Sequence, residues 1–131
     1  MATVCSQCAA RDPSVPAAVV YSPALRLRNP LSMLLPLLKH FTPFWAKPRA
    51  MLMDPEAGGR LWSYPTAPTR AGHELLKLQR QVRRDLPRVT CPLLIVHSTL
   101  DDQLHPACPH WVNDRVGSRD KELLLLHNSG H

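Results

Sequence analysis

Two adjacent carboxylates and a histidine are the residues of this sequence best suited to chemistry. Asp101 and Asp102 lie in the stretch HSTLDDQLHP, directly after the apolar run LLIV, and His131 ends the stretch LLLLHNSGH. Imidazole exchanges protons near neutral pH, and a carboxylate beside it fixes the tautomer that accepts a proton. The two stretches therefore predict a proton-transfer pair, provided that the fold brings them together.

Each of these stretches contains an apolar run that predicts a strand. CPLLIVHS (91–98) and DKELLLLH (120–127) are apolar almost throughout rather than at alternate positions, which is typical of strands buried on both faces of a sheet. The β-branched run VPAAVVYS (15–22) predicts a third strand. Because catalytic groups collect at the carboxyl ends of parallel strands, we expect the acid loop and His131 to share one edge of the sheet.

Helical patterns separate the predicted strands. Residues 1–12 and PACPHWVNDRV (106–116) predict short helices, and TRAGHELLKLQRQVRRDL (69–86) has the clearest helical periodicity of the chain. Strands separated by helices predict an α/β fold, a parallel sheet with helices on both faces. The long helix has two predicted faces, an apolar one with Leu75, Leu78, Val82 and Leu86 and a solvated one with Arg80, Arg83, Arg84 and Arg88.

The segment between the first two predicted strands is several times longer than a crossover requires. PLSMLLPLLKHF (30–41) predicts a helix that Pro36 kinks or divides. Residues 42–69 combine several prolines with Gly58 and Gly59 and predict no regular structure. Since so much chain cannot lie in one helix against the sheet, we expect an inserted helical cap.

The two chemical stretches together resemble a known family. PLLIVHSTLDDQLHP followed by KELLLLHNSGH resembles the C-terminal end of an α/β-hydrolase, in the carboxylesterase, monoacylglycerol lipase and serine aminopeptidase-like branch. The family pattern there is a strand opening with Pro, then His-Gly-x-x-Asp-x-x-Val-x-Pro, a helix, a strand after Lys, and Ser-Gly-His. By this resemblance Asp101 is the acid and His131 the base of a Ser-His-Asp triad. Asp102, one place later, is the alternative acid, and Ser98 stands where the family usually has Gly.

The resemblance implies a serine hydrolase that cleaves carboxylic esters, with a small-molecule ester or acylglycerol as substrate and no cofactor. The family's nucleophile is the serine of Gly-x-Ser-x-Gly, and none of the eight serines of this sequence lies in that motif. The matching serine is expected at or just before Met1. We therefore expect the C-terminal half of a hydrolase, inactive by itself for lack of the nucleophile. The alternative is a non-catalytic remnant that acts as a binding protein.

The same resemblance divides the chain into three parts. Residues 1–22 are expected to hold the remnant of the nucleophile helix and a core strand, residues 23–87 the cap, and residues 88–131 the hydrolase core with the acid and histidine loops. The apolar side chains of the cap are suited to an acyl chain, although each also suits simple packing of the cap. They are Leu31, Met33, Leu34, Leu35, Leu37, Leu38, Phe41, Phe44 and Trp45.

Composition and local patterns argue against several other classes. The net charge of +6 is spread along a chain with only 5% aromatic residues, so we expect no nucleic-acid partner. The most apolar stretch, PLSMLLPLL (30–38), is too short to cross a bilayer, which predicts no integral membrane segment. MATVCSQCAARD lacks the basic region and apolar run of a signal peptide, and we therefore expect a cytoplasmic protein.

The four cysteines leave a metal or redox site as rival hypotheses. Cys5 and Cys8 form a Cys-x-x-Cys, and Cys91 and Cys108 lie far from them in sequence. A zinc site of this kind usually has a second close pair, which is missing here. We therefore expect free thiols and no metal.

Overall fold

The computed structural model describes residues 2–28, 30–46, 66–101 and 103–128. Its elements, in chain order, are α1 (Ala2–Arg11), β1 (Ala18–Tyr21), a 3-10 helix (Pro30–Leu34), α2 (Leu35–Leu38), β2 (Phe44–Ala46), β3 (Thr66–Pro68), α3 (Thr69–Asp85), a second 3-10 helix (Leu86–Arg88), β4 (Leu93–Ser98), α4 (Cys108–Arg115) and β5 (Lys121–Leu126).

The three predicted strands form one parallel sheet in the order β1-β4-β5. In the register of this sheet Val20 of β1 pairs with Ile95 of β4, which pairs with Leu123 of β5. The prediction of an α/β fold with parallel strands and flanking helices is confirmed. Because all three strands run the same way, the loops after β4 and β5 leave the same edge of the sheet.

One face of the sheet carries the main core. Val20 and Ile95 point to this face and are 1% and 0% exposed, and they share a buried cluster with Val82 of α3 and Val112 of α4. Ala9 of α1 completes the helical layer over them. Full burial of each such aliphatic side chain contributes about 1.5–3 kcal/mol.

The opposite face of the sheet is more open than predicted. Val19 and Tyr21 of β1 are 51% and 66% exposed, and Leu124 and Leu126 of β5 are also exposed. The prediction that β5 is buried on both faces is wrong, because its burial alternates and none of α1, α3 and α4 covers its second face. Strand β4, which has a neighbour on each side, is buried as predicted.

Helix α3 has the predicted extent, and Leu78, Val82 and Leu86 pack in or against the core as predicted, but its buried face is rotated away from Leu75. Leu75 is exposed, whereas Leu76 and Gln79 are buried beside Val82. The cause is polar: the Gln79 amide donates to the carbonyl oxygen of Ala24 at 2.6 Å, and the Arg83 Nε donates to that of Leu25 at 2.7 Å. Assigning Arg83 to a solvated face was therefore wrong.

The segment between β1 and α3 has more structure than predicted. The run expected as one kinked helix is divided into the 3-10 helix and α2, and Pro36 lies in the first turn of α2, where a missing N–H costs no hydrogen bond. Strands β2 and β3 form an antiparallel ribbon within residues 42–69, where no regular structure was expected. Among the described residues no helix is long and apolar enough to span a membrane.

Candidate active site

Asp101 lies in the loop directly after β4 and is 5% exposed. Its Oδ1 accepts hydrogen bonds from the backbone N–H groups of Gln103 at 2.9 Å and Leu104 at 3.1 Å. Its own N–H donates to the carbonyl oxygen of Ser98, the last residue of β4, at 3.3 Å. The carboxylate is therefore fixed at the carboxyl edge of the sheet by backbone donors that favour a negative charge.

The turn after β4 is closed by Ser98 itself. The Ser98 hydroxyl oxygen accepts a hydrogen bond from the backbone N–H of Leu100 at 3.1 Å, a turn that serine can form through its own side chain. Among the described residues Ser22 is the one non-glycine with a positive φ, so the turn at Ser98 does not require the glycine usual in the family. The serine found in place of the family's glycine is therefore compatible with this turn.

The acid loop is also held from the side of the segment that follows β1. Leu27 and Leu104 form an isolated antiparallel bridge. The Arg28 N–H donates to the Gln103 carbonyl, and the His105 N–H donates to the Arg26 carbonyl, both at 3.0 Å. Residues 103–105, directly after Asp102, are therefore tied to residues 26–28, which fixes where the predicted cap begins relative to the acid loop.

Thr99 connects the acid loop to the end of β5. Its backbone N–H and its hydroxyl both donate to the Leu126 carbonyl oxygen, at 2.9 and 3.2 Å. The same hydroxyl oxygen lies 3.4 Å from the Nδ1 of His127. The loops after β4 and β5 thus meet at one edge of the sheet, as the parallel arrangement predicts. His131 and the alternative acid Asp102 lie outside the described residues.

The apolar side chains assigned to the cap are largely exposed. Leu35 is buried, but five others have between 49% and 77% of their surface exposed, and they are Met33, Leu34, Leu37, Phe41 and Phe44. The Leu31 side chain lies outside the described part. An acyl-binding role for these side chains stays a prediction.

The cysteines do not gather into a site. Cys5 and Cys8 are exposed on α1, whereas Cys108 is buried in α4 and its Sγ donates to the Pro23 carbonyl oxygen at 3.2 Å. Burial raises the pKa of the Cys108 thiol, which disfavours the nucleophilic thiolate. Among the described residues no three His, Cys, Asp or Glu side chains could hold a metal ion.

Sequence reasoning missed the residues that position the loop ends. Thr99, Gln79 and Arg83 all act through hydrogen bonds to carbonyl oxygens of distant segments. Gln79 and Arg83 are four residues apart on α3, and a polar pair at that spacing beside buried Val82 is the one signal that the sequence offered. Nothing in the types of their neighbours identifies the carbonyl partners, which are more than fifty residues away in the chain.

Comparison with known proteins identifies relatives with the same architecture. The profile of the serine aminopeptidase, S33, family matches residues 2–131. A thermostable monoacylglycerol lipase of Bacillus sp. (strain H-257) is 32% identical over 69 residues, which are 53% of this chain and 28% of that protein.

Two solved structures match nearly the whole chain. A structure from work on LipS and LipT, two metagenome-derived lipolytic enzymes, has a TM-score of 0.86 and 27% identity, and the match covers 99% of this chain and 53% of that one. The monoacylglycerol lipase of Paleococcus ferrophilus has a TM-score of 0.82 and 18% identity, over 99% of this chain and 56% of that one. The chain spans about half the length of these structures. With its parallel sheet, its flanking helices and this family match, the chain belongs to the serine aminopeptidase, S33, family of α/β-hydrolases.

Proposed function

We propose that this chain supplies the acid and the base of a Ser-His-Asp triad that cleaves carboxylic esters. The observation that carries the proposal is the buried carboxylate of Asp101, which two backbone N–H groups hold at the carboxyl edge of the sheet. The loop that bears it is bonded to the end of β5, five residues before His131. An acid and an imidazole at one sheet edge are the pair that a serine hydrolase needs.

In this reaction each group has a distinct task. A serine hydroxyl attacks the ester carbonyl while His131 takes its proton, and Asp101 stabilises the imidazolium that forms. His131 then returns the proton to the leaving alcohol, and water repeats the cycle on the acyl-enzyme. Backbone N–H groups at a strand-to-helix turn stabilise the oxyanion in both steps.

The serine nucleophile is proposed to come from polypeptide beyond residues 1–131. No serine of this sequence has the Gly-x-Ser-x-Gly surroundings, and the similar solved structures are about twice as long as the chain. The exposed apolar face formed by Val19, Tyr21, Leu124 and Leu126 supports the proposal, because a soluble hydrolase domain covers both faces of its sheet. Residues 1–22, 23–87 and 88–131 then serve as nucleophile-helix remnant with core strand, cap, and acid-and-base core.

The proposed substrates are acylglycerols and simple carboxylic esters. Relatives named as lipases or lipolytic enzymes support an acyl substrate. The exposed Met33, Leu37 and Phe41 lie in the segment proposed as a cap, and apolar side chains there would contact an acyl chain. No cofactor is needed, since the triad provides both the nucleophile and the proton transfers.

The experiment joins this chain to the part of the metagenome-derived lipolytic enzyme that it does not cover. We expect the joined protein to hydrolyse p-nitrophenyl butyrate and to bind a fluorophosphonate probe at the supplied serine. His131→Ala and Asp101→Asn should each reduce kcat by about 10³-fold or more, because the base is lost or held in the wrong tautomer. His110→Ala, which removes an exposed histidine of α4, is the matched control and should keep full activity.

Two results would contradict the proposal. Unchanged turnover in the His131→Ala variant of the joined protein would exclude His131 as the base. Turnover by residues 1–131 alone, abolished by His131→Ala, would show that the chain contains its own nucleophile.

A non-catalytic binding role is the second candidate. The outer edge of β1 favours this role. The backbone N–H groups of Ala18 and Ser22 donate towards β4, so the backbone groups of Val19 and Tyr21 point away from β4. An open strand edge of this kind pairs readily with another strand. A joined protein that folds but neither hydrolyses p-nitrophenyl butyrate nor binds the fluorophosphonate probe would favour this candidate.

A further inference from the structure

A basic cleft lies between the end of α1 and the outer face of α3. Its volume is about 480 Å³, and it is lined by cationic side chains from both helices and from the 3-10 helix that follows α3. They are Arg11, Lys77, Arg80, Arg84 and Arg88. The cleft is built by the packing of α1 on α3, and its position on the outer side of these helices separates it from the sheet edge that carries Asp101.

The charges of this cleft are poorly balanced. Asp85 is the one carboxylate among its lining residues, and it accepts a hydrogen bond from the Gln7 side-chain amide at 2.8 Å and pairs with Arg88 at 3.4 Å. Lys77 pairs with Glu74 at 2.7 Å. Within the described ranges neither Arg80 nor Arg84 forms an ion pair, so two guanidinium groups line the cleft without an ion-pair partner.

The spacing of these cations acts against helix stability. Arg80 and Arg84 are four residues apart on one face of α3, and like charges at that spacing repel each other. Arg88 continues the row in the next turn, and Arg11 ends α1 opposite it. The repulsion within this row of like charges is reduced when an anion of high charge density binds to it.

We propose that this cleft binds a ligand that carries two or more adjacent phosphate groups. Guanidinium groups hold phosphate oxygens in bidentate pairs, which lysine cannot do. Four residues of α3 rise about 6 Å, a distance short enough for Arg80 and Arg84 to contact different phosphate groups of one linked chain. Among the described residues no aromatic side chain lines the cleft, so the site recognises phosphates rather than stacked nucleic-acid bases.

The proposal is tested by calorimetric titration of the full chain with inorganic tripolyphosphate, with orthophosphate as reference at equal ionic strength. We expect tripolyphosphate to bind at least about tenfold more tightly than orthophosphate, because it engages several guanidinium groups at once. Arg80→Gln/Arg84→Gln should weaken the binding of tripolyphosphate by about tenfold or more, and raising the salt concentration should weaken it steeply. Both side chains are exposed, so circular dichroism should show the same helix content in the variant.

The matched control removes the same charge elsewhere. Arg28 and Arg119 are exposed and lie outside the cleft, and Arg28→Gln/Arg119→Gln should change the affinity by less than about threefold. Equal losses in both double variants would show that net charge alone binds the anion and would overturn the assignment. Equal affinity for orthophosphate and tripolyphosphate would also overturn it, as would tighter binding of a thymidine dodecamer than of tripolyphosphate.

Discussion

Asp101 has a structural role that can be separated from its proposed catalytic role. Its Oδ1 accepts two backbone hydrogen bonds, from Gln103 at 2.9 Å and from Leu104 at 3.1 Å. Replacing it with alanine removes this acceptor, and the loop loses the side chain that fixes its turn. We expect Asp101→Ala to destabilise the chain even where no reaction takes place.

The size of the loss follows from the burial of the two donors. Leu104 is 1% exposed, so its N–H is left unpaired in the interior, at a cost of about 1–3 kcal/mol. Gln103 is only half-buried and its N–H can bond to water, so its loss adds at most about 1 kcal/mol. The free energy of unfolding should therefore fall by about 1–4 kcal/mol in total.

The measurement is urea unfolding of the parent chain, Asp101→Ala and Asp101→Asn, followed by far-UV circular dichroism. Asparagine keeps an oxygen at the position of Oδ1 and should lose less than about 1 kcal/mol, because the acceptor of both backbone hydrogen bonds is retained. The two substitutions remove the same proposed catalytic carboxylate, so their difference reports the acceptor alone.

Two outcomes would refute this reasoning. If alanine and asparagine cost the same, the charge of Asp101 and not its acceptor atom organises the loop. If alanine costs nothing, the loop is held by the bridge between Leu27 and Leu104, and the carboxylate is retained for another purpose.

Three further predictions concern the rest of the chain. Gly117→Ala should lower the free energy of unfolding by about 3 kcal/mol or more, because its Cβ would lie 2.1 Å from the backbone oxygen of Pro87. Cys108 should react with iodoacetamide far more slowly than the exposed thiols of α1, as read by mass spectrometry, since burial raises its pKa. Burial and then the Lys39 ammonium lower the pKa of His73 from its usual value of 6.5. The stability that the neutral ring contributes should therefore be complete above pH 6.5 and lost as the pH falls through the lowered pKa. A proton NMR titration should place the midpoint of His73 below 6.5, and Lys39→Met should raise that midpoint.

The elements that carry the candidate site were predictable because their sequence signals are local and continuous. The run LLIV predicts β4, and the structure places β4 over Leu93–Ser98 with a neighbour on each side. The helix periodicity after Thr69 predicts α3, which begins at that residue. A central strand surrounded by apolar residues leaves few alternative arrangements, so pattern alone is enough there.

Orientation and pairing were less predictable because they depend on partners far away in the sequence. The buried face of α3 is turned towards two carbonyl groups near Leu25, and Gln79 and Arg83 satisfy them. The ribbon of β2 and β3 pairs residues about twenty positions apart through a proline-rich segment that has little apolar periodicity. In both cases the hydrogen-bond partner lies in a distant segment, and such a partner is not visible as a pattern in the chain.

The position of β5 brings the end of the strand that precedes His131 close to the loop that carries Asp101. Ser98 pairs with Leu126, and Thr99 donates twice to the Leu126 carbonyl, so the ends of β4 and β5 are in direct contact. Asp101 follows Ser98 by three residues, and five residues can span up to about 17 Å, a length compatible with the proposed pair of Asp101 and His131. Since both loops depend on the same contact, Thr99→Val should weaken any coupling between Asp101 and His131 in the joined enzyme while leaving each side chain in place. A double-mutant cycle with and without the Thr99 hydroxyl measures that coupling directly.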